Sequence, residues 1–285
     1  MVIMPRSPSV PSESLPLLPE PRRRGLILRL LDDKQARGRL VVTLDELVAS
    51  SELTPLAVKR QLEHAGERVR RLPGRQGIYL IVPPEHRERG APPVDSWLGA
   101  YFRLRGQPYY LGLLSAAAKH GSSRQAVQII QVITEQPMRP MKLGRARLEF
   151  HVKTGLSHTP LAEFHGLRAH LAISSAAATA LDLTTFSQSA GGMSRVADVI
   201  AGMLPAIAAT DLRHALAAEP RVTAKQRLGY LLDTLGAKTL ATIVHKMLPR
   251  RTTRILLESS SQDTALHLST RWNVVDNVGL EGQRT

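Results

Sequence analysis

TLDELVASSELTPLAVKRQLEHAGERVRRLPGRQGIYLIV, residues 43–82, is the stretch from which the first part of the chain can be read. Thr43-Leu44-Asp45-Glu46 has capping-box spacing, in which a hydroxyl and a carboxylate three residues on satisfy open amides at a helix start. A short helix is therefore expected from residue 44 to about 50, with Leu44, Leu47 and Val48 on one face. After Ser51-Glu52-Leu53 a second start appears at Thr54, followed by Pro55, whose missing N–H costs nothing at the first helical position. In this second helix, expected to reach Ala65, the 3.6-residue period turns Val58, Leu62 and Ala65 inward. It turns Leu56, Lys59, Arg60, Glu63 and His64 outward, and Gly66 supplies the stop. Residues 69–72 and 78–82 then read as strands joined by Pro73-Gly74-Arg75-Gln76-Gly77, a hairpin turn.

Upstream, a helix containing Ile27, Leu30 and Leu31 closes at Gly38, and residues 39–43 form a short connecting strand. Three helices followed by a basic ribbon is the order of a winged helix-turn-helix. Between residues 59 and 75, Lys59, Arg60, Arg68, Arg70, Arg71 and Arg75 face only Glu63 and Glu67 as opposing charges, so a polyanion is the natural partner. In such a unit the second helix of the pair enters the major groove and wing cations meet phosphates. Leu56, Lys59 and Arg60 are therefore expected to face the groove and Arg70, Arg71 and Arg75 the backbone, with His64 and Gln76 completing the candidate DNA-binding set. The alternative is a set of solvated cations on a small partner-binding domain.

At 285 residues the chain is long enough for two domains, and its formal charge of +14 favours nucleic acid or another anionic partner. No apolar run reaches the length of a membrane span, and the first 21 residues hold six prolines and no apolar signal core, so a cytoplasmic protein with no membrane partner is expected. The absence of cysteine excludes disulfides and thiolate metal sites. Residues 1–21 read as a flexible arm. Arg22, Arg23 and Arg24 at its end are either additional DNA contacts or part of a solubilising tail. The expected division is an arm (1–21), a DNA-binding domain (22–82), a Pro-rich linker (83–93) and an α+β domain (94–285). The fold class is α+β: the winged unit followed by a larger mixed α/β domain.

In the larger domain Trp97, Leu98, Tyr101 and Phe102 read as a core-packing helix, and residues 109–118 as a compact helix of small side chains. Strands are expected over 127–134, 141–143 and 146–153. The last alternates Leu148, Phe150 and Val152 inward with Arg147, Glu149, His151 and Lys153 outward, the pattern of a half-buried antiparallel strand. Helices follow over 176–186, 194–204, 211–218, 222–235 and 238–248, with strand-like ends at 254–257 and 271–275. Leu228, Leu231, Leu232 and Leu235 recur at helical spacing and must bury a face.

Chemistry is poorly supported there, and no enzyme, cofactor or metal site is expected. His151, His158, His165 and His170 lie close in sequence but lack metal-ligand spacing. Glu149 and Lys153 are four apart rather than in the tight acid-x-Lys order of a nuclease, and no nucleophile elbow or phosphate-binding glycine loop is present. A nuclease with an unrecognised site and a protein-interaction module remain as alternatives. Cationic patches at Arg139, Lys142, Arg145, Arg147 and Lys153 and at Lys246, Arg250, Arg251 and Arg254 contribute to a surplus of nine basic residues over 94–285. They either extend the DNA contact or are solvated surface.

QPYYLGLLSAAAKHG (107–121), ATALDLTTFSQSAGGMSRVADVIAGM (178–203), QRLGYLLDTLG (226–236) and RWNVVDN (271–277) occur in that order and resemble AbiEi-type antitoxins, with similarity from about Leu26 onward. One departure is Ser175-Ala176-Ala177, where many relatives carry a Pro-Glu pair before the T-A-x-D-L stretch. The resemblance implies a bacterial transcriptional repressor of a type IV toxin-antitoxin, phage-defence operon. It implies a winged domain on double-stranded DNA at an inverted-repeat operator, with self-association on that DNA. It also implies an antitoxin domain that counters a nucleotidyltransferase toxin without a stable complex.

Overall fold

The computed structural model describes residues 25–74, 77–122, 129–162, 171–259 and 267–280. The arm expected over 1–21, Arg22, Arg23, Arg24, Arg75, Gln76, His165 and His170 lie outside them. By contact the chain divides into two units, Met1–Ile81 and Val82–Thr285.

In the first unit the order is α1 (Leu26–Ala36), β1 (Val41–Thr43), α2 (Leu44–Ser51), α3 (Pro55–His64), β2 (Val69–Leu72) and β3 (Ile78–Ile81). Ile27, Leu31, Leu47, Val58 and Leu62 make one buried core with Val42, Val69, Tyr79 and Ile81 of the sheet. Each such side chain withdrawn from water contributes about 1.5–3 kcal/mol before chain entropy is counted. The strands lie in the order β1-β3-β2, all antiparallel, with Arg71 opposite Tyr79 and Leu72 opposite Ile78 in the ribbon. Glu52, at φ 55°, ends α2 in the left-handed conformation, and Thr54 opens α3 two residues on, which makes the corner between the helices tight.

Thr43 caps α2 by accepting from the Glu46 amide at 3.1 Å, but the reciprocal half of the expected capping box is not made. The Glu46 carboxylate instead takes Lys34 Nζ at 2.5 Å and Arg39 at 2.8 Å, tying α2 to α1 and the segment after it. Burial alone raises the Glu46 carboxyl, yet the hydrogen bonds and charges of Lys34 and Arg39 outweigh it and hold the group below its ordinary value.

The second unit begins with the segment expected as a linker, and that expectation is corrected. Ala91 and Pro92 are buried, and the Arg89 carbonyl accepts from Arg145 N at 3.2 Å. The approach at Gly144 is so close that a Cβ there would lie 1.9 Å from the Arg89 oxygen. Proline and mixed charge are compatible with a loop laid on a sheet rim as well as with a free tether.

Trp97 and α4 (Leu98–Arg105) form the aromatic core expected of them: Trp97, Tyr101 and Phe102 are wholly buried, and Phe102 stacks on Tyr109 at 4.2 Å between ring centres. The helix expected over 109–118 is shorter. Tyr109–Leu111 is a strand, β4, and the helix α5 runs only from Leu113–Lys119. The break falls at Gly112, where a Cβ would lie 2.6 Å from Ile133, and at Leu113, held at φ 51°. Gln131 fixes this corner by accepting from the Leu114 amide at 3.0 Å.

β5 (Ile129–Thr134), β6 (Met141–Leu143) and β7 (Ala146–Val152) complete a sheet of order β4-β5-β7-β6. β7 returns from a tight hairpin with β6 and slots between β6 and β5, so it is antiparallel to β6, as expected, but parallel to β5. Its alternation also fails at the end: Val152 is 42% exposed while Lys153 is 7% exposed. Lys153 therefore leaves the cationic surface patch to which the sequence assigned it.

The remaining core is helical: α6 (Ala176–Thr185), α7 (Met193–Met203), α8 (Ala209–Ala218), α9 (Val222–Thr234) and α10 (Lys238–Lys246), close to the expected spans. Ser175 caps α6 through the Ala178 amide and Asp211 takes the Ala177 amide, so the departure at Ser175-Ala176-Ala177 retains a capped helix start. A small sheet of order β8-β10-β9 (Ile255–Leu256, Val274–Asp276, His267–Ser269) closes the unit around Trp272. β9 had not been expected, its short polar run carrying no period. No helix of the described residues is long and apolar enough to cross a membrane.

Candidate nucleic-acid interface

The outward face of α3 is built by its inward one. With Val58 and Leu62 committed to the core, Leu56, Lys59, Arg60, Glu63 and His64 are all exposed, Leu56 by 59%. Thr54 caps the helix by accepting from the Ala57 amide at 3.3 Å. Between α3 and the ribbon runs an open groove of about 620 Å³, lined by Lys59 and Glu63 from the helix and Arg71 and Tyr79 from the strands, with Asp45 of α2.

The pleat separates the two ribbon arginines. Arg71 is exposed and shares the groove with Lys59, whereas Arg70, half-buried, belongs to the opposite face of β2. Cations of this unit are sorted by pairing. Lys34 and Arg39 bind Glu46, and Arg68 is drawn to Asp32, which corrects its grouping with the free cations of the stretch. Lys59, Arg60, Arg70 and Arg71 have no carboxylate partner among the described residues. Lys59, Arg60 and Arg71, exposed on and beside α3, are an anion-seeking set, with Asp45 and Glu63 as the acids that line the same groove.

The second unit holds charge of another kind. Lys153 Nζ lies 2.7 Å from Asp182 and 3.4 Å from Glu219; Tyr110 donates to Asp182 at 2.8 Å, and Arg221 binds Glu219 at 2.7 Å. Burial pushes the Asp182 carboxyl up, against the opposing pull of Lys153 and the Tyr110 hydroxyl. Burial also works against ionised Glu219, but Arg221 and Lys153 hold that carboxyl below its ordinary value. Burial, with the nearby Asp182 charge, drives the Tyr110 hydroxyl up so that it stays a donor. Two acids matched by two bases, buried except for the partly exposed Arg221, make an ionic core, and sequence reading missed it because alternation assigned Lys153 to the surface.

Other motif residues serve the fold in the same way. Glu258 accepts from the Met193 amide at 2.7 Å and from Ser187 and Gln188, capping α7 from a distant part of the chain. Gln226 donates to the carbonyls of Thr253 and Trp272, and Asp233 accepts from the Trp272 indole at 3.0 Å. Gly229 is the floor under that indole: a Cβ there would fall 2.0 Å from it. Asp276 takes the Tyr230 hydroxyl and the amides of Val278, Gly279 and Leu280. His151 packs beside Phe186, and burial lowers its pKa. Among the described residues no group of three or more His, Asp or Glu side chains is placed to hold a metal ion.

No curated protein sequence matches the chain. In its crystal structure, the RV2827C protein from Mycobacterium tuberculosis is similar in fold, with a TM-score of 0.66 over 90% of this chain and 93% of that one, at 18% identity. Residues 110–234 match the family model of the AbiEi antitoxin C-terminal domain. That span includes the Tyr110–Lys153–Asp182–Glu219 core, α5 to α8 and α9 to its last residue, so the match falls on the segments whose buried bonds build the unit. The chain therefore carries an AbiEi-type antitoxin domain.

Proposed function

We propose that the protein is a sequence-specific DNA-binding repressor of its own toxin-antitoxin operon, acting in the cytoplasm, with α3 as the reading helix and the ribbon as the wing. The single observation that carries this is the sorting of cations in the first unit. Lys59, Arg60 and Arg71 are exposed and, like the half-buried Arg70, have no carboxylate partner among the described residues, while Glu46 neutralises Lys34 and Arg39, Asp32 takes Arg68 and Asp33 takes Arg37. Leu56, Lys59, Arg60 and His64 meet bases in the major groove; Arg70, Arg71, Arg75 and Gln76 hold phosphates, with Arg22, Arg23 and Arg24 as further contacts.

The antitoxin-type domain supports a role in countering a toxin, and the family resemblance makes that toxin a nucleotidyltransferase acted on without a stable complex, in an operon of phage defence. Repression would follow from occlusion of the promoter by two copies on an inverted repeat, their half-sites about 10 bp or whole multiples of that apart. No catalytic role is assigned to the chain.

Footprinting on the DNA upstream of the protein's own gene tests the reading. Protection of two symmetry-related segments is expected, and Arg60→Ala is expected to relax base preference at one position in each, costing about 1–3 kcal/mol for a bidentate contact. An unchanged footprint for that variant would remove Arg60 from the reading face.

A further inference from the structure

Leu56 is an exposed apolar side chain among cations. It occupies the second position of α3, is 59% exposed, and does not belong to the buried cluster or to the partly buried side chains packed against it. Its neighbours one turn on, Lys59 and Arg60, are exposed and carry no carboxylate partner among the described residues. A solvated polar face gains nothing from a leucine there.

In the DNA-reading arrangement the same position is the one nearest base edges, because the N-terminal turns of the reading helix enter the groove first. The major-groove edge presents one apolar group, the 5-methyl of thymine, and apolar side chains recognise it by contact. We propose that Leu56 is a specificity-determining residue that reads a thymine methyl, beside a base pair addressed by Arg60. This rests on the DNA-reading function proposed above and deepens it. Four residues along a helix advance about 6 Å and base pairs repeat every ~3.4 Å, so the thymine lies within about two base pairs of the one that Arg60 addresses. Lys59, between them on the same face, has phosphate or guanine within reach.

The test uses the full-length protein and a duplex selected by it from random sequence. Each thymine of that duplex is replaced in turn by uracil, which deletes only the methyl group, and each duplex is measured with wild type and Leu56→Ala. One position is expected at which uracil weakens wild-type binding about fourfold, the value of one methyl withdrawn from water, and at which Leu56→Ala no longer distinguishes the two bases. Cytosine and 5-methylcytosine at that position separate the two carriers of such a methyl: thymine is the expected one, and 5-methylcytosine bound more tightly than thymine overturns the assignment. Sequence-selective binding without methyl dependence, or with a dependence that survives Leu56→Ala, overturns this inference and leaves the DNA reading standing. Failure of the wild type to select any sequence overturns the DNA reading and this inference together.

Discussion

Lys153 shows how much a single side chain can misread from sequence. It ends a strand whose alternation points it to solvent, yet it is buried against Asp182 and Glu219. Removing one partner of a buried charge set leaves the others uncompensated, so Lys153→Met is expected to cost about 3–5 kcal/mol in denaturant melts. A loss under 1 kcal/mol would mean that the acids are not ionised in the folded state. Gly229→Ala is the steric counterpart. With a Cβ 2.0 Å from the Trp272 ring, the small sheet must shift, at a cost of about 1–3 kcal/mol or more, readable as a red-shifted or weakened tryptophan signal.

Glu46 adds a pH dependence. Its folded-state pKa lies below the unfolded value, so between the two the unfolded chain binds the extra proton and stability rises with pH. The contribution is present above the ordinary carboxylate range and lost as pH falls through the folded value. Glu46→Gln should flatten that acid limb for the first unit; an unchanged limb would assign acid sensitivity elsewhere.

At the scale of elements, caps and periods were legible and tertiary pairing was not. Thr43, Thr54-Pro55 and the inward set Val58, Leu62 and Ala65 place α2 and α3 within a residue or two, because each signal is local. The helices from α6 to α10 were equally readable through leucine and alanine spacing. Tyr109–Leu111 was misassigned to a helix because its strand is defined by a partner, β5, about twenty residues on. The parallel pairing of β7 with β5 depends on the hairpin at Gly144 folding under Arg89, which no period encodes. Exposure of α3 also belongs to this scale: Leu56→Ala and Arg60→Ala remove no packing, so each is expected to leave the unfolding free energy from denaturant melts within about 0.5 kcal/mol of wild type. A larger loss would show that the helix face is a structural surface.

Across the whole molecule two designs coexist. The segments that carry the family resemblance are held by buried hydrogen bonds and ion pairs at Asp182, Glu258, Gln226 and Asp276, so they mark how the second unit is built rather than what it touches. The proposed DNA-contact residues lie in the first unit, outside the matched span, and were found from charge and helical period alone. That division explains why the antitoxin-type domain could be recognised while the operator contacts could only be proposed. The central claim is that outward, unpaired cations of α3 and the wing grip duplex DNA, and its most direct test is the salt dependence of operator binding. If two copies neutralise ~8 phosphates, log affinity should fall against log salt with a slope of about −7, and replacing both Arg70 and Arg71 by Ala should make it shallower by about 4 across the pair. A slope near zero, or one untouched by those substitutions, would contradict it.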